Sequence, residues 1–139
     1  MLFCGKQINS DSHQKIIVSS EHSKKHIAHN VHHSAVYQYR VDGDLIADST
    51  RLRCDFLLEN ETTRSAYLIE LKGSNLDHAV EQIENTIKFF SHKLNGYTIL
   101  PRIVCHSNTH KTHSSKVQKF CKEHYRKYVI QDVSIEEDI

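Results

Sequence analysis

The middle third of the chain carries the clearest alternation of apolar and polar residues. Tyrosine and valine alternate with polar side chains in residues 35–46, and two apolar runs follow in residues 51–58 and 65–72. This alternation predicts three strands, because successive side chains of a strand point to opposite faces. The connections are short and polar, which favours an antiparallel meander. Both faces of the second and third strands are apolar, so we expect the sheet to be covered on both sides.

After Gly73 the spacing of apolar residues changes to that of a helix. The residues on the apolar stripe are Leu76, Ala79, Val80, Ile83, Ile87, Phe90 and Leu94. Ser74 or Asn75 suits the N-cap of this helix, and Gly96 is a typical terminator. The pattern therefore predicts one long amphipathic helix directly after the third strand.

The last third of the chain predicts a strand, a helix and a further short strand. The first strand spans residues 97–105, where Pro101 indicates a bulge or a position near an edge. The helix follows a serine N-cap, and the short strand falls in residues 128–133. We expect the acidic end at residues 135–138 to be frayed.

The first thirty residues have the weakest pattern. Ile16, Ser20, Ser23 and Ile27 lie at helical spacing and favour a helix there. The predicted order of elements is therefore α-β-β-β-α-β-α. We interpret residues 1–139 as a single α/β domain with three layers, α/β/α, around a central mixed sheet of four to five strands.

Net charge, cysteine spacing and the length of apolar runs limit the class of protein. The 139 residues have a formal net charge of +1 with histidine neutral, which excludes a broadly basic surface but allows local basic patches. The four cysteines form no Cys-x-x-Cys pair, which predicts reduced thiols rather than a disulfide framework or a ribbon-type zinc site. We find neither a signal-peptide pattern nor an apolar run of membrane-spanning length, so we expect a soluble, cytoplasmic protein with no membrane partner.

The third predicted strand ends on two charged residues, Glu70 and Lys72. They are two positions apart, so both side chains project to the same face of that strand. Charge at the end of an apolar strand is costly to bury without a partner. Asp55 supplies a second carboxylate on the preceding predicted strand. Two carboxylates and a lysine are groups that metal-assisted hydrolysis uses.

The motif of Asp55, fourteen intervening residues and Glu70-Leu71-Lys72 resembles that of the PD-(D/E)xK nuclease superfamily, which has the restriction-endonuclease-like fold. Small Holliday-junction-resolvase-like or restriction-type nucleases are the kind of member that the motif suggests. The resemblance covers residues 35–105 in the order of elements. It implies that Asp55, Glu70 and the main-chain carbonyl of Leu71 hold Mg²⁺, for which Mn²⁺ can substitute, and that Lys72 stabilises charge in the reaction.

Two further site residues enter through the same resemblance. Gln82 lies on the helix after Lys72, where several branches of the superfamily place a glutamine that orients the metal-site groups; a solvated side chain is the alternative. Glu21 corresponds to the first-helix carboxylate that some relatives add to the metal site. Glu59 shares a face with Asp55 if that strand continues, which makes it a reserve metal ligand.

Histidines and lysines cluster in two parts of the chain. The first group is His22, Lys24, Lys25 and His26, and the second is His106, His110, Lys111, His113, Lys116 and Lys119. Both groups are candidates for contacts to a nucleic-acid backbone, which position a substrate without reading its sequence. Histidines at helical i, i+4 spacing are also typical zinc ligands, whereas a solvated histidine-rich surface is the simpler interpretation.

The sequence thus predicts a magnesium-dependent deoxyribonuclease, an endonuclease of low sequence specificity or with selectivity for DNA structure. A single short domain leaves little room for a separate recognition domain. Cleavage of two strands or of a junction favours a homodimer. Two alternatives stay open: a non-catalytic nucleic-acid-binding or assembly subunit with the same fold, and a histidine-dependent zinc-binding regulator.

Overall fold

The structure is a computed structural model that describes residues 1–72, 74–106 and 114–139, with Lys72 described by its backbone alone. In chain order the elements are β1 (Ile16–Glu21), β2 (Lys24–His29), β3 (Val36–Arg40), β4 (Phe56–Asn60), β5 (Ser65–Lys72), α1 (Leu76–Phe89), β6 (Thr98–Cys105), α2 (Ser115–Glu123), β7 (Val129–Gln131) and β8 (Ser134–Asp138). Of the helices in these described ranges, none is long and apolar enough to cross a membrane.

A five-stranded sheet in the order β3-β4-β5-β6-β7 forms the centre of the fold. β3, β4 and β5 run antiparallel to one another, whereas β6 and β7 join in parallel. The predicted meander and the predicted mixed sheet of four to five strands are confirmed. α1 is the crossover between β5 and β6, because a hairpin cannot join parallel neighbours.

The helices and a second sheet cover opposite faces of the central sheet. On one face, α1 and α2 pack residues such as Ile83 and Phe120 against the strands. On the other face, the three-stranded sheet β1-β2-β8 packs Ile17 and Ile135 against Ile69 and its neighbours. The fold is mixed α/β as predicted, but the α/β/α layering is corrected: a small sheet covers the second face in place of a helix.

The helix predicted in the first thirty residues is wrong, because β1 and β2 form an antiparallel hairpin there. Burial alternates along β1: Ile17 and Ser19 are buried, whereas Ile16 and Val18 are each 47 % exposed. A period of two and a run of β-branched residues favour a strand over a helix. His22, with a φ of +52°, lies in the turn that ends the strand.

The acidic end of the chain, which we predicted to be frayed, forms β8 and pairs in parallel with β2. Ile135 is buried between the two sheets. Glu137 accepts hydrogen bonds of 2.6 and 2.9 Å from the Arg102 guanidinium, and its carboxylate lies 2.8 Å from Nε2 of His26. These partners are far apart in sequence, so the local pattern of the acidic end does not reveal them.

The two elements next to the motif, β5 and α1, form where the local sequence predicts them. β5 has the predicted bounds, Ser65–Lys72. α1 begins after Asn75, whose side chain accepts a 3.0 Å hydrogen bond from the backbone N–H of His78. This cap satisfies one of the free N–H groups at the start of a helix. The end of β5 and the start of α1 therefore place the motif at one end of the central sheet.

Candidate metal centre

The chain that enters β4 brings Asp55 and Glu70 close together. β4 begins at Phe56, which lies opposite Ile69 of β5, so Asp55 directly precedes the paired residues. The backbone N–H of Asp55 donates to the carbonyl oxygen of Ile69 at 3.1 Å, one residue out of the register of the strand pair. Cys54, which is buried in the core beside the helices, has both carboxylates as electrostatic neighbours. The two carboxylates therefore lie close together at one end of the central sheet.

The Asp55 carboxylate is fixed to the backbone of β5. Its Oδ2 accepts a 2.7 Å hydrogen bond from the N–H of Leu71, the residue between Glu70 and Lys72. A charge-assisted hydrogen bond of this length is a strong one. The Leu71 carbonyl, the third metal ligand that the resemblance implies, belongs to the same residue as this N–H. The two parts of the motif are thus joined by a direct contact.

Burial raises the electrostatic cost of this carboxylate pair. Glu70 is 2 % exposed, and Asp55 is partly buried. Burial, followed by the Glu70 and then the Asp55 carboxylate, raises the pKa of the adjacent Cys54 thiol well above its usual range. Carboxylate oxygens are ligands that a hard divalent cation prefers, so the arrangement suits such an ion.

Two side chains of α1 hold the backbone at the entry to β4. Gln82 donates from Nε2 to the carbonyl oxygen of Arg53 at 2.9 Å, and the Thr86 hydroxyl accepts from the N–H of Cys54 at 2.9 Å. The two side chains are four residues apart and lie on the same side of the helix. They take the place of ladder hydrogen bonds, which explains why β4 begins later than residue 51, its predicted start.

Gln82 has a further polar atom at this position. Its Oε1 is buried and has no hydrogen-bond partner among the residues that the structure describes. A buried acceptor without a partner is costly and is a typical position for a water molecule or an ion. Gln82 is therefore a positioning residue for the segment that leads into Asp55, with one acceptor available to a bound group.

Thr86 and Cys54 are site residues that lie outside the sequence motif and were not predicted. The spacing of four residues between Gln82 and Thr86 on a predicted helix was the available signal, because residues so spaced share a face. Cys54 gave no signal beyond its position next to Asp55. Both residues join the site through packing of α1 on the sheet.

Lys72 and Glu21 complete the set of predicted site residues. Lys72 is the last residue of β5, and its side chain lies outside the described part of the structure. Glu21 does not lie on a helix but at the end of β1, where its carboxylate is 3.8 Å from Arg40 and 4.0 Å from His22. The correspondence with a first-helix carboxylate therefore does not apply to Glu21.

Glu59, the reserve ligand, is fully buried in a separate cluster. It accepts hydrogen bonds from the hydroxyls of Tyr39 and Tyr97 at 2.9 and 2.5 Å, and from the N–H of Leu2 at 2.7 Å. Burial, with the hydrogen bond to Glu59, raises the pKa of Tyr97 to about 12. Since both Glu59 oxygens accept from these groups, Glu59 is a structural anchor and not a ligand beside Asp55.

A groove of about 510 Å³ lies beside the candidate site, between the chain that precedes Arg53 and the turns of α1 that follow Gln82. Arg51, Lys88 and Phe89 are among its lining residues. The Arg51 guanidinium lies 5.1 Å from the centroid of the Phe89 ring, and Phe89 is 46 % exposed. Two cations and an exposed ring suit the phosphates and bases of a nucleic acid. No sequence pattern predicted this groove.

The lysines predicted to contact nucleic acid lie in different layers. Lys24 and Lys25 belong to β2, and the Lys24 ammonium donates to a backbone carbonyl oxygen at 2.9 Å. Lys116 lies on α2, on the opposite side of the central sheet, and pairs with Glu81 of α1. Lys111 lies outside the described residues. Lys24 and Lys25 therefore do not form a continuous patch with Lys116.

The histidines of the first cluster lie on a β-hairpin and not on a helix. His22 occupies the exposed turn, whereas His26 is 0 % exposed and contacts Glu137. The expected helical zinc geometry is therefore wrong for this pair, and His26 is not part of a surface that contacts nucleic acid. His110, of the second cluster, lies outside the described residues.

Comparison with known proteins adds nothing to the motif resemblance. No family model matches the chain, and searches of curated proteins and of solved structures found no significant match. Any assignment of function therefore depends on the geometry of the site.

Proposed function

We propose that this protein is a magnesium-dependent nuclease that hydrolyses DNA phosphodiester bonds, an endonuclease of low sequence specificity or with selectivity for DNA structure. The observation that carries the proposal is the 2.7 Å hydrogen bond from the N–H of Leu71, the residue after Glu70, to the Asp55 carboxylate. This contact supports a site in which the Asp55 and Glu70 carboxylates and the Leu71 carbonyl are close together.

The donor set fits magnesium by its chemistry. Asp55, Glu70 and the Leu71 carbonyl offer oxygen atoms only, which are the ligands that this hard cation prefers. When bound, magnesium supplies Lewis-acid stabilisation of negative charge on phosphoryl oxygens.

The chain's own residues supply the remaining functions. Lys72 follows Glu70 by two residues, and we assign it the stabilisation of negative charge on the phosphate, as the motif resemblance implies. Gln82 holds the backbone of Arg53 and so fixes the approach to Asp55. The groove that contains Arg51 and Lys88 binds the phosphate backbone next to the scissile bond. We extend the proposal to a symmetric homodimer, which places two such sites for cleavage of both strands.

The test is a substrate panel of single-stranded, duplex and branched DNA, with matched RNA, in Mg²⁺, in Mn²⁺ and with chelator. We expect cleavage in either metal and none with chelator. Asp55→Asn and Glu70→Gln keep the shape of each side chain and remove its charge. We expect each to lower the cleavage rate at least about 100-fold, equivalent to about 2.7 kcal/mol. Asp44→Asn changes an exposed acid of a turn and serves as the matched control with unchanged rate.

Two results would contradict the proposal. Unchanged cleavage by both Asp55→Asn and Glu70→Gln would place the activity elsewhere. Binding of DNA by the unmodified chain without cleavage in either metal would favour the non-catalytic binding subunit. Binding in Ca²⁺, measured by fluorescence anisotropy, separates loss of catalysis from loss of substrate affinity, and sedimentation reports the oligomeric state.

A further inference from the structure

Glu84, Glu123 and His124 form a second group of metal-ligating side chains. Glu84 lies on α1, Glu123 is the last residue of α2, and His124 is the C-cap of α2. One ligand atom from each residue lies within 4.8 Å of the others. Two residues along an α-helix turn by about 200°, so Glu84 faces α2 while Gln82 faces the chain before β4. The cluster is therefore separate from the candidate magnesium centre.

We infer that this cluster binds one Zn²⁺ ion, which joins α1 to α2 through three protein ligands. The Nε2 atom of His124 already lies 3.0 Å from Oε1 of Glu84. The imidazole is 14 % exposed, and its ring centroid lies 4.6 Å from that of Phe120. The histidine is thus held in place by packing, with Nε2 directed at the carboxylate of the other helix.

The distances fit a tetrahedral ion with little movement. Zinc bonds of about 2.1 Å to nitrogen and oxygen place neighbouring ligand atoms about 3.4 Å apart. The His124–Glu84 separation is slightly shorter than this value, and the Glu123 carboxylate has to approach by about 1.4 Å at most, from 4.8 Å to about 3.4 Å. Glu84 and Glu123 are 38 % and 48 % exposed, so their side chains can make this adjustment.

The charges of the cluster also favour a divalent ion. His124 and Glu84 contact each other directly. Glu123 adds a second carboxylate within 4.8 Å of the Glu84 carboxylate. Lys119 is the lysine next to Glu123, at 3.9 Å, and its side chain is 77 % exposed. Such an exposed pair is weak and screened by solvent. Two carboxylates and one neutral imidazole form a neutral complex with Zn²⁺.

The ligand types and the open side of the cluster favour zinc over magnesium. An imidazole nitrogen suits Zn²⁺, whereas Mg²⁺ prefers oxygen ligands and keeps its water. A groove of about 300 Å³ between α1 and α2 is lined by both Glu84 and Glu123. This space admits a water molecule as the fourth ligand, which is the pattern of zinc sites with three protein ligands.

The experiment uses the full chain without nucleic acid, so its result is independent of the proposed nuclease activity. Equilibrium dialysis against Zn²⁺ in excess Mg²⁺ should give one zinc ion per chain, because Mg²⁺ competes for oxygen-only sites such as Asp55 with Glu70 and not for this cluster. Co²⁺ in place of zinc should give visible absorption bands of a nitrogen- and oxygen-ligated ion. A free zinc concentration about 100-fold above its dissociation constant should raise the melting temperature by about 5–10 °C.

Glu84→Gln and His124→Ala should each weaken zinc binding at least tenfold and remove the cobalt bands. Glu84→Gln changes a partly exposed side chain and should keep the fold. It therefore tests the zinc site even if His124→Ala unfolds the protein. His29→Ala is the matched control, because His29 also contacts a carboxylate, Glu136, at 2.6 Å. Failure of the unmodified chain to bind zinc, or equal zinc binding by Glu84→Gln, would overturn the inference.

Discussion

The carboxylate of Asp55 accepts a 2.7 Å hydrogen bond from the backbone N–H of Leu71. This contact connects the first acid of the motif to the strand that carries the second acid. It orients the Asp55 side chain along β5 and keeps it next to Glu70. The same contact makes Asp55 a structural residue, so charge and shape at this position have to be tested separately.

Asp55→Asn and Asp55→Ala should therefore differ in stability. The asparagine side chain retains an oxygen that accepts from Leu71, whereas alanine leaves that N–H without its partner. We expect Asp55→Ala to lower the free energy of unfolding by about 1–3 kcal/mol more than Asp55→Asn. Urea denaturation checks the difference. Equal stability of the two variants would show that the hydrogen bond to Leu71 contributes nothing.

Thr86→Val should destabilise the protein and slow its proposed reaction. Valine has the shape of threonine but cannot accept from the buried N–H of Cys54, which then lacks a partner at a cost of about 1–3 kcal/mol. The entry to β4 loses one of its two contacts with α1, so the cleavage rate should fall as well. Urea denaturation and cleavage assays measure both effects.

Asn85→Ala is the matched control for Thr86→Val. Asn85 is the neighbouring residue on α1, and its side chain donates to the carbonyl oxygen of Glu81 on the exposed surface of the helix. We expect its stability to change by less than about 0.5 kcal/mol. Asn85 also lines the groove beside the candidate site, so this variant is a control for stability alone. A Thr86→Val variant that matches Asn85→Ala in stability and the unmodified chain in cleavage rate would remove Thr86 from the site.

Lys88→Ala should weaken binding of single-stranded and duplex DNA alike. Lys88 lines the groove next to Arg51, where the proposed function has its charge contact a phosphate. Removal of one phosphate contact reduces by about one the slope of the logarithm of the binding constant against the logarithm of the salt concentration. Fluorescence anisotropy at several salt concentrations, in Ca²⁺, measures this slope. Lys122→Ala, an exposed lysine in the last turn of α2, is the control, and an equal effect of both variants would argue against the groove.

Protonation of Glu137 should lower the stability of the protein in acid. Burial alone raises the pKa of this carboxyl, but hydrogen bonds from His26 and Arg102 outweigh burial and lower its pKa to about 2. A group with a lowered pKa in the folded state contributes stability above its ordinary pKa of 4.5. That contribution, about 3 kcal/mol, is lost as the pH falls from about 4.5 through 2. Urea denaturation between pH 6 and pH 2 measures the slope.

Glu137→Gln should reduce this slope below pH 4.5. It should also lower stability at neutral pH by about 3–5 kcal/mol, because Arg102 is 6 % exposed and loses its counter-charge. Glu136→Gln, at the neighbouring and largely exposed position, should retain the acid slope of the unmodified chain. An unchanged slope in Glu137→Gln would show that other groups control acid unfolding.

Local sequence signals are sufficient for the central elements. The apolar run of β5 predicts the bounds that the strand has, and the helical stripe after it identifies α1. Side-chain alternation along β5 predicts that Glu70 and Lys72 share one face of the strand. These features depend on neighbouring residues, so a short stretch of sequence contains the information for them.

The candidate metal centre is only partly accessible from sequence. The motif identifies Asp55 and Glu70 as partners, but the hydrogen bond that holds Asp55 against β5 depends on how the two segments meet in the fold. The contacts of Gln82 and Thr86 with the chain before Asp55 depend on how α1 packs on the sheet. Glu21 lies on a strand and not on the predicted helix, and Glu59 accepts hydrogen bonds from Leu2, Tyr39 and Tyr97. Acid type and approximate face do not reveal which donors surround a carboxylate.

The sequence by itself determined the strands β3 to β6, the helix α1 and the acidic motif, because these follow from periodicity and local capping. Tertiary structure alone decided what covers the second face of the central sheet. Either a helix or a sheet can bury an apolar face, because the hydrophobic effect does not depend on the type of element that covers it. The choice of β1, β2 and β8 depends on pairing between the two ends of the chain and on the contacts of Glu137 with Arg102 and His26.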